Sequence, residues 1–180
     1  RSEEDKGTGG TVNISVQMKD LLKEIGYTNP PQEKLLHMVE ETLALLEPLL
    51  EPKLVFKEIR SLEGLPPFFE GAALKYAGAA TLGPKLENKV KDLFDKGKAA
   101  EGYILDTAGS IAVMKAGGLL WDRIRKDAAS KGFLGGMRRT PGCTGIAMEA
   151  QRWIFDQLAG AELGVTLTES WMMAPRKSLS

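Results

Sequence analysis

The stretch MRRTPGCTG at 137–145 gathers the residues best suited to chemistry, because two arginines precede a Pro-Gly pair and a cysteine follows it. A Pro-Gly pair between two elements first of all predicts a turn. If the turn leads into a helix N-terminus, the free N–H groups and the helix dipole favour an anion there. Arg138 can also bind a carboxylate through two parallel hydrogen bonds. The stretch therefore predicts either a plain turn or a site for a small molecule that carries a carboxylate.

Cys143 offers a different chemistry, as a redox thiol or as one ligand of an interchain metal site. It is the only cysteine among 180 residues, so this chain contains no resolving thiol and no second cysteine ligand. An intrachain disulfide is excluded for the same reason. A single cysteine is typical of a reducing compartment, which predicts a cytoplasmic protein. The single histidine, His37, is predicted to be a surface or boundary residue of a helix and not a ligand, because no second histidine could share a metal with it.

A second polar group lies downstream in TLTESWMMAPRKS, where Glu169 and Ser170 stand between apolar neighbours. Two interpretations stay open. The two residues end a turn, or the carboxylate of Glu169 meets a cationic group of a ligand.

Composition limits the class of protein. Lysine plus arginine equals aspartate plus glutamate at 24 each, and this zero net charge argues against nucleic-acid binding. No apolar run approaches the roughly 20 residues that span a bilayer. The first ten residues, RSEEDKGTGG, predict a flexible leader and no signal peptide.

Hydrophobic periodicity predicts the elements that position these residues. Strands are expected at 11–17, 53–60 and 71–83, within 163–175, and from 176 onward. Helices are expected at 18–27, 31–50, 83–97, 98–132 and 146–160. Small residues in 98–132 indicate close packing on a sheet, with close approach of a ligand as the alternative. The sequence thus predicts a single α+β domain over 11–180, with a mostly antiparallel twisted sheet packed against long helices.

Two segments in this order, RRTPGC and, after a helix, GVTLTESWMMAPRKSLS, resemble the activation (AdoMet-binding) domain of cobalamin-dependent methionine synthase. The family pattern is Arg-x-x-Pro-Gly-Tyr, then a helix, then Gly-x-x-Leu-Thr-Glu-Ser and an apolar strand that ends in proline. The similarity is greatest to small free-standing relatives and extends upstream through LEPKLVFKEI, GPKLENKVKDLFDKG and YILDTAGSIAV, so that it covers most of 15–180.

The resemblance implies a protein that binds S-adenosylmethionine (AdoMet) and supports reductive remethylation of a corrinoid protein, as a component of a cobalamin-dependent methyltransferase system. No cobalamin-binding motif is present, so the corrinoid would come with a partner protein. Carried onto this chain, Arg138 would bind the AdoMet carboxylate. The loop formed by Thr140, Pro141, Gly142 and Cys143 would meet the amino-acid and nucleoside parts. Glu169 and Ser170 would line or support the same cleft.

Two positions depart from the family pattern. Cys143 stands where relatives usually have tyrosine, and Met114, next to Lys115, stands where they usually carry a glutamate. These changes motivate an alternative hypothesis, a non-catalytic docking module for a corrinoid protein that has lost AdoMet binding.

Overall fold

The computed structural model describes residues 12–27, 32–60, 67–69, 71–143, 145–158 and 163–180. The expected leader at 1–10 lies outside these residues. The helices are α1 (Met18–Glu24), α2 (Glu33–Leu46), α3 (Lys85–Asp95), α4 (Ala99–Ser130) and α5 (Ala150–Leu158), with short 3₁₀ turns at Glu47–Leu49 and Pro67–Phe69. The strands are β1 (Lys53–Glu58), β2 (Tyr76–Thr81), β3 (Thr166–Leu167), β4 (Met173–Ala174) and β5 (Ser178–Leu179).

The 32-residue helix α4 is the centre of the fold. Its first half carries small and aliphatic residues at helical spacing, and α1, α2 and α3 pack against it. A side chain at Gly109 would stand 2.6 Å from Leu86 Cδ2, so the glycine is what lets α3 approach this closely. Packing against neighbouring elements therefore accounts for the small residues in this half of α4.

Strand β2 lies between α4 and α5, and its small residues permit a helix on each face. A Cβ at Gly78 would lie 3.2 Å from Ile124 Cδ1 of α4. Ala77 and Ala79 point to the opposite face and pack with the apolar side of α5. β2 is antiparallel to both of its neighbours in the sheet order β1-β2-β5.

β5 covers only one end of β2. Ala80 and Thr81 of β2 pair with Leu179 and Ser178, whereas the residues of β2 before Ala80 pair with β1 alone. Among the described residues, no strand covers the rest of this edge of β2, which we call its open edge. β3 and β4 form a separate antiparallel hairpin.

The predicted α+β class with an antiparallel sheet is confirmed, but several elements differ from the prediction. The strand predicted at 11–17 is wrong within the described range 12–17, which forms no strand. The alternation arises because an extended segment buries Val12 and Ile14 in the core, and Lys115 Nζ of α4 donates to Ser15 O at 2.9 Å.

Two helix boundaries also moved. α2 ends at Leu46 and continues as a 3₁₀ turn that contains Pro48, because proline cannot donate the next helical hydrogen bond. α5 begins at Ala150 and not at Ile146. Met148 and Glu149 lie in tight turns, in which backbone N–H groups donate to the carbonyl oxygens three residues earlier.

Within the described ranges, no helix is both long and apolar enough to cross a membrane.

Candidate functional site

A cavity of about 450 Å³ lies beside the open edge of β2, between the second half of α4 and residues 133–139. We call residues 133–139 the strap. The volume falls within the range typical of small-molecule sites. The lining residues outside the strap include Phe69, Tyr76, Gly78, Gly117, Leu120, Trp121, Ile124, Arg125, Ile154, Leu179 and Ser180.

The wall from α4 is a single stripe of the helix. Gly117, Leu120, Trp121, Ile124 and Arg125 follow one another at spacings of three, one, three and one residues, which places them on one face. Apart from Arg125, this face is apolar and bears one indole ring, so it can cover the flat, weakly polar surface of a purine or similar ring.

The charged residues of the lining are all cationic. Arg125, Arg138 and Arg139 line the cavity together with Lys75, and no aspartate or glutamate is among the lining residues that the structure describes. Lys75 Nζ donates to Ala72 O. The three arginines have no carboxylate partner within the part of the chain that the structure describes. Such a set favours the anionic part of a ligand.

Arg138 reaches the cavity because α4 has no side chain at Gly117. Its Nη1 lies 3.4 Å from where a Cβ on Gly117 would stand, and Leu179 Cδ2 lies 2.7 Å from the same point. Gly117 thus lets the guanidinium and the end of β5 approach the helix backbone together.

A cluster of polar side chains lies at the rim of the cavity, next to the C-terminal end of α4. Lys131 Nζ lies 2.6 Å from Asp127 Oδ2 and 2.7 Å from Glu58 Oε2, and the Tyr76 hydroxyl donates to Asp127 at 2.5 Å. Hydrogen bonding to Lys131 holds the pKa of both carboxyl groups below the usual range, and these bonds raise the pKa of Lys131. Burial, followed by the bond to Asp127, raises the pKa of Tyr76. The cluster joins α4 to β1 and β2 next to the cavity.

The other side of the cavity contains a buried polar pair. Ser180, which lines the cavity, donates through its hydroxyl to Gln151 Oε1 of α5 at 3.0 Å. Gln151 is 2% exposed, and its Nε2 finds no partner among the described residues. A buried amide donor of this kind normally requires an acceptor.

The strap closes the cavity without regular structure. Gly135 and Gly136 adopt positive φ values of 87° and 133°, which side chains disfavour. Leu134 is 92% exposed and Met137 is 68% exposed, although both residues also line the cavity. The strap is therefore held more by its ends than by burial of its own side chains.

The predicted loop residues form the turn that ends the strap. Cys143 N donates to Thr140 O at 3.1 Å, with Pro141 and Gly142 as the central residues and Gly142 at φ 84°. Proline followed by a residue with positive φ is the pattern of a type II turn, and the turn interpretation of this stretch is confirmed. Gly142 N donates to Ile146 O at 3.0 Å, so two N–H groups of the loop are used within it. The first turn of α5 lies beyond this loop, at Ala150.

Of the predicted site residues, Arg138 alone is among the residues that line this cavity. Thr140, Pro141, Gly142 and Cys143 lie outside the lining, and the thiol of Cys143 is exposed. Any ligand contact by these four residues stays a prediction.

Glu169 and Ser170 lie at the exposed tip of the β3–β4 hairpin and are also outside the lining. Thr168 Oγ1 lies 3.1 Å from Ser170 Oγ and accepts from Met172 N at 3.1 Å, so the hydroxyls serve the hairpin turn. Their predicted role in binding likewise stays a prediction.

Three other residues singled out in the sequence lie away from the cavity. Met114 is 64% exposed, and Lys115 pairs with Asp20 at 3.3 Å. The side chain of His37 is 71% exposed beside Glu41, which confirms the surface position expected for it. Within the described residues, no group of three or more His, Cys, Asp or Glu could hold a metal ion.

Sequence reasoning missed Arg125, Trp121 and the open edge of β2. Only the spacing of Trp121 and Arg125 from Gly117, four and eight residues along one helix face, could have indicated them.

The architecture defines an α+β protein whose antiparallel sheet is packed between helices, with a ligand-sized cavity at the sheet edge. Among solved structures, the chain is similar to one described as the crystal structure of the MetH reactivation domain bound to AdoHcy. The similarity has a TM-score of 0.65 at 16% sequence identity and covers 92% of this chain and 68% of that one. The fold implied by the sequence resemblance is therefore confirmed. No protein-family model and no curated protein sequence matches the chain.

Proposed function

We propose that this protein binds AdoMet in the cavity between α4, β2 and the strap and supports reactivation of a corrinoid protein carried by a partner. The observation that carries the proposal is Arg138, a guanidinium group without a carboxylate partner in the described chain, at an apolar cavity of ligand size. The solved structure with a similar fold contains AdoHcy, the demethylated form of the same molecule.

The residues present fit most of AdoMet. Arg138 would bind the carboxylate of the methionine part through a charge-assisted bond. The apolar stripe on α4, with Trp121, would cover the adenosine part. When bound, AdoMet supplies an electrophilic methyl group, and the task of this chain is to hold and orient it at the cavity.

Isothermal titration calorimetry of the purified protein with AdoMet and with AdoHcy tests the proposal. Arg138→Ala is expected to weaken binding at least tenfold, because a charge-assisted hydrogen bond contributes roughly 1.5–3 kcal/mol. Arg152→Ala is the matched control, since Arg152 stacks over Trp171 at 6.0 Å and does not line the cavity. If neither ligand produces heat or a thermal shift at millimolar concentration, the proposal fails.

Two further variants test the other predicted residues. Glu169→Gln and Cys143→Ser are expected to change the affinity less than twofold if the cavity is the binding site, because neither residue lines it. A tenfold loss in either variant would move the site towards the hairpin or the turn.

The second candidate is a docking module that has lost AdoMet. It is favoured by the strap, which exposes Phe133, Leu134 and Met137, and by the lack of a carboxylate among the described lining residues to face a sulfonium. Size-exclusion chromatography with cobalamin-loaded methionine synthase that lacks its own activation domain separates the candidates. Co-elution without any AdoMet or AdoHcy binding supports docking alone.

A further inference from the structure

The charges around the cavity bear on which form of the ligand it holds. AdoMet and AdoHcy share the same adenosine, amino and carboxylate groups and differ at sulfur, where AdoMet carries a methyl group and a positive charge. A site that discriminates between them must therefore act on that charge or on the methyl group.

We infer that the cavity prefers the neutral thioether AdoHcy to the sulfonium AdoMet; this rests on the proposed function. Among the residues that the structure describes, the lining has four cationic side chains and no carboxylate. Arginine stays protonated at all accessible pH values, so the positive potential is permanent. One ligand carboxylate neutralises one of these charges, and the others repel a second positive charge on the ligand.

The carboxylates of the Lys131 cluster do not compensate. Asp127 and Glu58 both bind Lys131, at 2.6 and 2.7 Å, and Arg60 Nε lies 3.5 Å from Oε1, the other carboxylate oxygen of Glu58. Two cations thus balance the two carboxylates of this cluster, and Arg125, Arg138 and Arg139 have no ion-pair partner among the described residues.

On the side of the cavity near α5, the polar side-chain group of the described lining is the hydroxyl of Ser180. Ser180 Oγ is engaged with Gln151 Oε1, and the remaining group of that buried pair, Gln151 Nε2, is a donor. A hydrogen-bond donor favours a lone pair and not a cation. The described lining therefore offers no carboxylate that would attract a sulfonium.

The inference has a consequence for function. A site with this preference would hold the demethylated product when both molecules are present. Its occupancy would then follow the ratio of AdoHcy to AdoMet and not the concentration of AdoMet alone.

Calorimetric titrations with AdoMet, AdoHcy and sinefungin, which carries an ammonium near the position of the sulfonium, test the inference. AdoHcy is expected to bind at least about fivefold tighter than either cation at about 10 mM salt, and less than about twofold tighter at 0.5 M, because salt screens the repulsion. The two cationic ligands separate the effect of charge from that of the methyl group.

Arg125→Gln tests the charge directly, because a purely structural role of Arg125 would change the affinities for AdoMet and AdoHcy alike. Removing this charge is expected to tighten AdoMet binding about threefold while AdoHcy binding changes less than twofold. Arg152→Gln, outside the cavity, is the control and should leave the ratio unchanged.

The outcomes distinguish this inference from the proposed function. If both ligands bind and AdoMet is equal or tighter at low salt, the preference is overturned while the proposed function stands. A preference for AdoHcy that persists at 0.5 M salt, or that Arg125→Gln leaves unchanged, also overturns the electrostatic cause. Absence of all binding overturns the proposed function and the inference with it.

Discussion

The two halves of the continuous helix α4 differ in whether the charged side chains near them have partners. In the first half and at its boundary, cationic side chains meet carboxylates: Lys115 pairs with Asp20 at 3.3 Å, and Lys177 of the C-terminal segment pairs with Asp106 at 2.8 Å. In the second half, Arg125 borders a cavity without any carboxylate partner in the described chain, and Arg138 lies over the helix at Gly117.

The contrast separates structural charges from candidate binding charges. The first half is sealed by α1, α2 and α3, and buried or half-buried charges there require partners. The second half faces a space that the protein does not fill, and its cations remain available to a ligand. Variants that compare the two halves directly can test this division.

The largest effect is expected from truncating one leucine in each half. Leu105→Ala should lower the free energy of unfolding by about 3–5 kcal/mol, because the side chain is fully buried and the site cannot collapse. Leu120→Ala should cost less, about 2–3 kcal/mol, because Leu120 already borders the cavity. Urea denaturation of both variants measures the difference. Equal losses would contradict the distinction between a sealed and an open half.

Glycine substitutions should give the next largest effect. Gly109→Ala is expected to destabilise the protein by about 1–3 kcal/mol, because the new Cβ would stand 2.6 Å from Leu86 Cδ2. Gly118→Ala is the control: nothing lies within 4 Å of its Cβ position, and the higher helix propensity of alanine should add up to about 1 kcal/mol. Melting temperatures that shift in the same direction for both would show that the close approach of α3 is not limiting.

The smallest effect concerns the Lys131 cluster at the end of the open half. Lys131→Met should cost about 0.2–1 kcal/mol at pH 7, since the pairs are partly exposed. The pKa values of Glu58 and Asp127 are lowered from 4.5 and 3.8, so this stabilisation is present above those values and is lost as pH falls through the folded pKa values.

The difference in stability between wild type and Lys131→Met should therefore be constant from pH 7 to about pH 5 and shrink towards zero below pH 4. Urea denaturation across this range measures it. Lys126→Met serves as the control, because Lys126 has no ion-pair partner in the described chain and should show no such pH dependence. A difference that grows on acidification would contradict the assignment.

Many of the helices and strands could be predicted from the spacing of apolar residues in the sequence. Helical spacing predicted α3 and α4 closely, because their apolar residues face one continuous core and their ends carry glycine or proline. The strand predicted at 11–17 failed, since alternation records which side chains are buried and not whether the backbone pairs with a neighbour. The arginine at 138 was found from its place before a Pro-Gly turn, and the structure puts it at the cavity.

The sequence by itself determined the class of fold, the turn at 140–143 and Arg138 as a candidate carboxylate ligand, because each depends on residues close together in the chain. Tertiary structure alone decided the rest of the site. Arg125, Tyr76 and Leu179 come from elements far apart in sequence, and they meet only because Gly78 and Gly117 let β2, α4 and β5 approach. The excess of cationic side chains among the described lining residues is likewise a property of the tertiary arrangement, since the chain as a whole carries no net charge.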